Sequence, residues 1–411
     1  SGLAKEINKK RLLIYSLVFS PDGVSTAYLY NDIALGFQKN NYKVTVLTTT
    51  PHYNLIKESL DRQPLKKCFL GLLYTSNFNG VKVYHIPLKK YKSTLLRIFS
   101  FVYWHIFSFF FALTLRNINF ILSPSPPLSI GFISILIAKI KRAKSIYNVQ
   151  EIYPDLLINH QNLNSPFIIN ILKRLEKFIY NYSNAVTTID DIFYSTILPR
   201  FKDPKKLHII PNFVDMNRFK LKAKDHFKKA IAPNNERIVV HTSNFRKVKR
   251  TQDVIYVFEK ILKEVPAKLL MVGDGPERAY CEQLCRDLDI CDNVRFLGKQ
   301  DAVEEILSVA DLFIMPSESE SFGLAALEAM ACKVPVITSN AGGLPELNVD
   351  GVTGFMDEVG DIASMAHHAI AILADDDKLN SFKENALSRA KEFDLSIILP
   401  IYEAYYQEIL G

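Results

Sequence analysis

The sequence predicts an α/β protein of two doubly wound, Rossmann-like domains, and three observations carry that expectation. Apolar β-rich runs alternate with helical patterns along the chain. Its 411 residues are long enough for two domains. Charge also divides near residue 210, with 27 Lys and Arg against 11 Asp and Glu before it and 23 against 32 after it. The composition, 48% hydrophobic and 23% charged, excludes disordered, collagenous and disulfide-scaffold classes. The five cysteines (Cys68, Cys281, Cys285, Cys291 and Cys332) include no Cys-x-x-Cys pair, which argues against a zinc site and for a reducing, cytosolic compartment.

In chain order, Leu12–Phe19 reads as a strand running into a Ser-Pro-Asp-Gly turn, with no signal-peptide cleavage site. Runs at Val44–Thr48, Phe120–Ser123, Ser145–Val149, Val186–Ile189 and Leu207–Ile210 continue a βαβ rhythm. Between Arg97 and Arg116 lies an uncharged stretch rich in Phe, Tyr and Trp, preceded by Lys89, Lys90 and Lys92. Its length reaches the minimum for a membrane span. Ser100, His105, Ser108 and Thr114 interrupt it, so the expectation is a docking helix near 95–116 lying in an anionic membrane surface. A buried core helix and a true span are the alternatives. The basic first half predicts an anionic partner, and the lack of a helix-turn-helix, zinc-finger or RNA-recognition signature argues against nucleic acid.

After a lysine-rich connector around Lys220–Lys229, strands are predicted at Ile238–Thr242, Lys268–Val272, Val294–Leu297, Leu312–Met315 and Val334–Thr338. The expected domains are 1–210 and 211–390, followed by 391–411 as a helix returning to the first. Ligands of such sheets bind beyond the carboxyl ends of the strands, so two facing domains would place a site in the cleft between them.

The segment Pro316–Ala331 carries the strongest chemical signal. It follows a strand and reads as a helix starting near Phe322–Gly323, whose first N–H groups can receive phosphate oxygens. Glu320 before that helix and Glu328 inside it can each accept paired hydroxyl donors. A solvated acidic loop is the plainer reading of the same residues. Arg246 and Lys249, after the first strand of the second domain, could neutralise a departing nucleotide, or simply form an exposed basic loop. Gly23, Asn244, Gly273 and Gly275 lie in post-strand turns and are candidates to bring backbone amides to the cleft, although glycine is also the usual residue of any tight turn. Asp190-Asp191 reads as a helix cap. No Gly-x-Gly-x-x-Gly or Walker pattern is present.

Glu320, seven residues and Glu328, with Phe322-Gly323-Leu324 between them and Gly342-Gly343-Leu-Pro-Glu346 beyond, resemble glycosyltransferase family 4, retaining enzymes of GT-B fold. Val272-Gly-Asp-Gly-Pro-Glu277, Phe296-Leu-Gly298 and Ile210-Pro-Asn212 support the resemblance. It implies that Glu320 binds donor sugar hydroxyls and Glu328 the ribose. The amides of Phe322, Gly323 and Leu324 would meet sugar and phosphate, and Arg246 and Lys249 the diphosphate, although their spacing departs from the commoner Gly-Arg…Lys-Gly form. Glu151 or Asp155 would orient the acceptor or else cap the core.

The second half resembles the branch that transfers GlcNAc to malate in bacillithiol synthesis. The first half resembles membrane-associated aminosugar transferases of capsule, O-antigen and colanic-acid assembly, which raises a mosaic chain as a hypothesis. The implied activity is retaining, metal-independent transfer of an N-acetylhexosamine, GlcNAc first among them, from a UDP-sugar. The implied acceptor is a polyprenyl-diphosphate-linked sugar in surface polysaccharide synthesis, on the inner face of the cell membrane. The alternative is a small-molecule acceptor, L-malate.

Overall fold

Two sheets organise the computed structural model, which describes residues 2–22, 25–51, 57–222 and 225–411. The chain divides into two compact units, Ser1–Ile210 with Leu399–Gly411, and Pro211–Ile398. The division near the C-terminus therefore falls inside the final helix, Leu395–Leu410.

In the first unit, nine strands run β1 (Lys10–Tyr15), β2 (Tyr42–Thr49), β3 (Lys66–Cys68), β4 (Leu73–Phe78), β5 (Val81–Ile86), β6 (Phe120–Ser125), β7 (Lys144–Val149), β8 (Ala185–Thr188) and β9 (Leu207–Ile209). Their order across the sheet is β3-β4-β5-β2-β1-β6-β7-β8-β9. Among the described residues, only the β3–β4 and β4–β5 pairs are antiparallel. The central strands are covered on both faces, which is why they read as continuous apolar runs: Leu12, Leu13, Ile14 and Tyr15 are all buried. The first strand ends at Tyr15 rather than Phe19. Beyond it Ser16 Oγ donates to the Val18 carbonyl at 2.9 Å, a local turn bond that competes with the ladder.

The final helix packs on helix Ser25–Lys39, where Phe37 stacks on Tyr406 at 5.0 Å. Gly36 permits this contact, since a Cβ there would lie 2.2 Å from Leu399 Cδ2. The aromatic stretch forms helix Thr94–Leu113, ending three residues earlier than expected. Trp104, His105, Ser108 and Ala112 form its buried stripe, and Trp104 stacks on Tyr15 at 5.4 Å.

The second unit holds β10 (Arg237–Thr242), β11 (Ala267–Val272), β12 (Val294–Gly298), β13 (Leu312–Met315), β14 (Val336–Ser339) and β15 (Gly354–Asp357). All pairs are parallel, in the order β12-β11-β10-β13-β14-β15. Val239, Leu269, Met271 and Ile314 pack against Val254 and Phe258 of helix Thr251–Leu262 to make one continuous core. The lysine-rich connector is partly helical, as Asp225–Ile231. From β10 the chain steps outward to β11 and β12, then returns to place β13 on the other flank of β10. That reversal makes the carboxyl ends of β10 and β13 the topological switch point, where loops diverge and ligands bind.

Candidate functional site

Of the segments that leave the carboxyl edge of the second sheet, the four after β10, β11, β13 and β14 are held together by backbone contacts. After β10, residues 243–250 include a turn at Lys247–Lys249 with Arg250 at φ 50°. After β13, the Glu318 N–H donates to the Val248 carbonyl at 2.9 Å, fastening this loop to the first. Gly273 and Gly275 follow β11, and a Cβ on either would lie 1.7 Å from the Ser243 carbonyl oxygen or 1.9 Å from that of Asn244. Both glycines are thus accounted for by close backbone packing against the first loop. After β14, Gly342 at φ 53° lies so close that a Cβ would stand 1.6 Å from the Glu320 carbonyl oxygen. The Gly343 N–H donates to Ser321 O at 2.8 Å. These glycines hold the Glu320 peptide in place, a role the residue pattern alone did not reveal.

On this frame Lys249 Nζ meets Glu320 Oε1 at 2.6 Å, and Ser317 Oγ donates to the same oxygen at 3.0 Å. The Glu320 side chain is 9% exposed, so the pair sits in partly dehydrated surroundings, where charge interactions gain strength. Arg250 is engaged elsewhere, with Asp253 at 2.7 Å and Glu318 at 3.5 Å. Arg246 and Asn244 are exposed on the loop. The structure therefore joins Lys249 directly to Glu320 and leaves Arg246 outside that pair.

The helix after Glu320 begins at Leu324, one residue past the expected Phe322–Gly323 start, and runs to Ala331. Gly323, at φ 83°, stands at its N-cap, where a Cβ would lie 2.5 Å from Leu344 Cδ2. Phe322 is buried edge-on against Phe393, ring centroids 5.4 Å apart, which fixes the approach to the helix. The first i→i−4 bond is Leu327 N–H to Gly323 O at 3.0 Å. The N–H groups of Leu324, Ala325 and Ala326 precede it and form the positive end of the helix. Glu328 is half-buried, one turn further along.

One residue that sequence reasoning missed is His241, buried between β10 and β13. Its Nδ1 lies 2.8 Å from the Ile314 carbonyl and its Nε2 2.8 Å from Ser243 Oγ. Burial pushes it down to about 4, with the Lys249 charge adding in the same direction. At neutral pH the ring is therefore uncharged, donating to Ile314 O and accepting from Ser243. It braces the start of the basic loop.

In the first unit, Gly23 lies outside the described residues. Glu151 follows β7, and its backbone is clamped to Ser125, with its carbonyl accepting from Ser125 Oγ at 2.9 Å. Asp155 belongs to a structural cluster: Arg200 holds it at 2.7 Å and also holds the buried Glu176 at 2.6 Å. Burial raises Glu176 to about 7, against the opposing pull of Arg200. That engagement favours core capping for Asp155. Asp190 caps helix Asp191–Ile197 by accepting from the Phe193 N–H at 2.8 Å. Among the described residues, no group of three or more His, Cys, Asp or Glu side chains could hold a metal ion.

Residues 222–389 match the family model of Glycosyl transferases group 1. The switch-point loops and the Glu320 helix all lie inside this group 1 region. N-acetyl-alpha-D-glucosaminyl L-malate synthase of Bacillus anthracis is 42% identical over 241 residues, 58% of this chain and 63% of the relative. Across the first curated relatives, the chain spans 46% to 63% of their length. Among solved structures, Anabaena Alr3699/HepE in complex with UDP and glucose superposes with a TM-score of 0.75 at 18% identity, covering 97% of this chain and 99% of that one. Sucrose-phosphate synthase from Thermosynechococcus elongatus gives 0.77 at 19%, covering 98% and 99%. These likenesses show the fold, GT-B with two Rossmann-like α/β domains, of which the group 1 region forms the second.

Proposed function

We propose that the protein is a glycosyltransferase that moves GlcNAc from UDP-GlcNAc to an acceptor hydroxyl, and that L-malate is the first acceptor to test. The observation that carries the reading is the Lys249–Glu320 pair at the switch point, beside the N-terminus of helix Leu324–Ala331. The identity to the malate synthase, concentrated in the C-terminal half, supports the donor and names the acceptor of that relative.

In this reading Glu320 accepts hydrogen bonds from the sugar hydroxyls, and Glu328 from the ribose. Lys249 exchanges its contact with Glu320 for a phosphate oxygen, Arg246 adds charge from the exposed loop, and the amides of Phe322, Gly323 and Leu324 receive sugar and phosphate. The bond from the anomeric carbon to the β-phosphate oxygen breaks, and one to the acceptor oxygen forms on the same face. The acceptor proton passes to the departing phosphate oxygen, so UDP leaves with its charge held by the basic side chains and the helix end. Since these groups stabilise the leaving group, turnover is expected to persist in EDTA.

A second reading of the acceptor has its own support: helix Thr94–Leu113 exposes a broad apolar face, which suits an acceptor carried on a polyprenyl diphosphate at the inner membrane surface. UDP release and product mass measured with UDP-GlcNAc, UDP-GalNAc and UDP-Glc, each with L-malate or a lipid-linked sugar, separate the readings. Malate-dependent release from UDP-GlcNAc supports the first. Release only with the lipid-linked sugar moves the acceptor to the membrane. Absence of both UDP-GlcNAc binding and turnover overturns the donor assignment.

A further inference from the structure

The first unit carries a surface that donor chemistry does not use. Helix Thr94–Leu113 is long and apolar enough to cross a membrane. It is nonetheless tied to the sheet and to helix Leu128–Lys141: Trp104 stacks on Tyr15, Ser108 Oγ lies 2.5 Å from the Tyr15 hydroxyl, and His105 Nε2 lies 2.8 Å from Ser129 Oγ. The other face is open. Leu95, Phe99, Val102, Tyr103, Ile106 and Phe110 recur at helical spacing and are all exposed, Phe99 at 72%. A helix packed on protein along one side cannot cross a bilayer on its own, whereas its apolar outer face is suited to lie on one.

A second apolar element lies at the end of the sheet where this helix begins. Strand β4 runs antiparallel to β5, pairing Tyr74 with His85, so the turn between β3 and β4 comes to the carboxyl end of β5. From that end the chain passes through Lys89–Lys92 into the helix. Cys68 and Leu88 pack against the same buried cluster as Trp104. At the tip Phe69 and Leu72 are exposed, and Leu70 is 99% exposed. Exposed apolar residues in this density mark an interaction surface.

Charge identifies what covers it. Between Asp61 and Glu151 the chain has thirteen Lys and Arg and not one acidic residue. Lys66, Lys67, Lys89, Lys92 and Arg97 are exposed beside the two apolar elements. A second copy of the chain would bring the same cations face to face, whereas an anionic lipid surface attracts each of them.

We propose that the turn Phe69–Leu72 and the outer face of helix Thr94–Leu113, which starts at the carboxyl end of β5 and runs along the first sheet, form one two-part docking face for an anionic lipid bilayer. Its purpose rests on the membrane reading of the acceptor, but docking is measured without donor or acceptor, so the two can fail separately.

The test is flotation of the full chain with phosphatidylcholine vesicles, with and without phosphatidylglycerol. The expected result is binding to the anionic vesicles that weakens with salt. Leu70→Ser and Phe99→Ser should each lower partitioning about tenfold, given the loss of one large buried apolar side chain. Lys66→Gln with Lys67→Gln should lower it further at low salt. Both apolar positions face solvent, so unchanged circular dichroism and unfolding curves will show that the variants fold. No flotation overturns docking, and equal flotation with neutral vesicles overturns the role of charge. Wild-type flotation of Leu70→Ser overturns the two-part face. A stable dimer that sequesters Phe99, seen by sedimentation and lost in Phe99→Ser, overturns the choice of a bilayer.

Discussion

The carboxyl edges of the two sheets solve different problems with similar backbones. In the second unit, charge is set against charge: Lys249 meets Glu320, Arg250 meets Asp253 and Glu318, and glycines at 273, 275 and 342 let the loops touch backbone to backbone. In the first unit, the part of the same edge around β2, β4 and β5 is braced by a neutral chain. Ser20 Oγ donates to Gln63 Oε1 at 2.5 Å, Gln63 Nε2 donates to Ser76 Oγ at 2.8 Å, and His85 bridges Ser76 and the Thr49 carbonyl. Neutral bracing holds shape without attracting a charged ligand. The paired charges of the second unit can be separated when a diphosphate offers a better partner, which is what a donor site requires.

The largest effect expected from this contrast is at the charged pair. Lys249→Ala should lower kcat/KM for UDP-GlcNAc by about 10²–10³-fold, the scale of losing one stabilising group at the departing charge. Its effect on stability should be moderate, because the variant leaves the 9% exposed Glu320 carboxylate with the Ser317 hydroxyl but without its cation. Steady-state kinetics together with a denaturation curve check both parts. A large stability loss with unchanged kinetics would make the pair a structural brace like that of the first unit.

How much of this was legible in the sequence follows the range of the interactions. Buried parallel strands such as β1 and β10 announce themselves as apolar runs, and the helix at Leu324 by its small residues and preceding glycine. Strands β3 and β15 are short edge strands, and β4 and β5, though as long as β1, are interrupted by polar residues such as Thr75, Ser76, Asn77, Lys82 and His85, so a search for apolar runs passes over them. The Lys249–Glu320 contact joins residues 71 apart, and no spacing rule reports it. Gly342 is required by the Glu320 carbonyl, 22 positions away, an approach that no local pattern reports. The alternative roles of Asp155 were separable only once Arg200, 45 residues away, was placed beside it.

A smaller effect, measured as a pH slope, tests whether the two bracing schemes differ in acid. His85 and His241 are each pushed down to about 4 by burial, one in each unit. Between about 4 and the ordinary value of 6.5, the unfolded chain binds more protons than the folded one, so stability falls as pH drops through that window. Each ring contributes up to about 1.4 kcal/mol per pH unit there. Urea unfolding at pH 7, 6 and 5 should show this slope, and His241→Gln should remove its share from the second unit alone. A slope unchanged in that variant would mean that the buried ring does not govern acid stability.

The smallest effect separates the two basic residues of the donor loop. Arg246 is exposed and stands outside the Lys249–Glu320 pair, so it starts solvated and gains only what a mobile cation gains from a phosphate near the surface. Arg246→Ala should raise KM for UDP-GlcNAc by about tenfold, with kcat little changed, because an interaction made equally in ground and transition states alters binding alone. Raising the salt concentration should narrow the gap between variant and wild type, since exposed charges are screened and partly buried ones much less. If Arg246→Ala instead lowers kcat as far as Lys249→Ala does, both cations act on the departing phosphate, and the paired and unpaired positions of the loop are equivalent in the transition state.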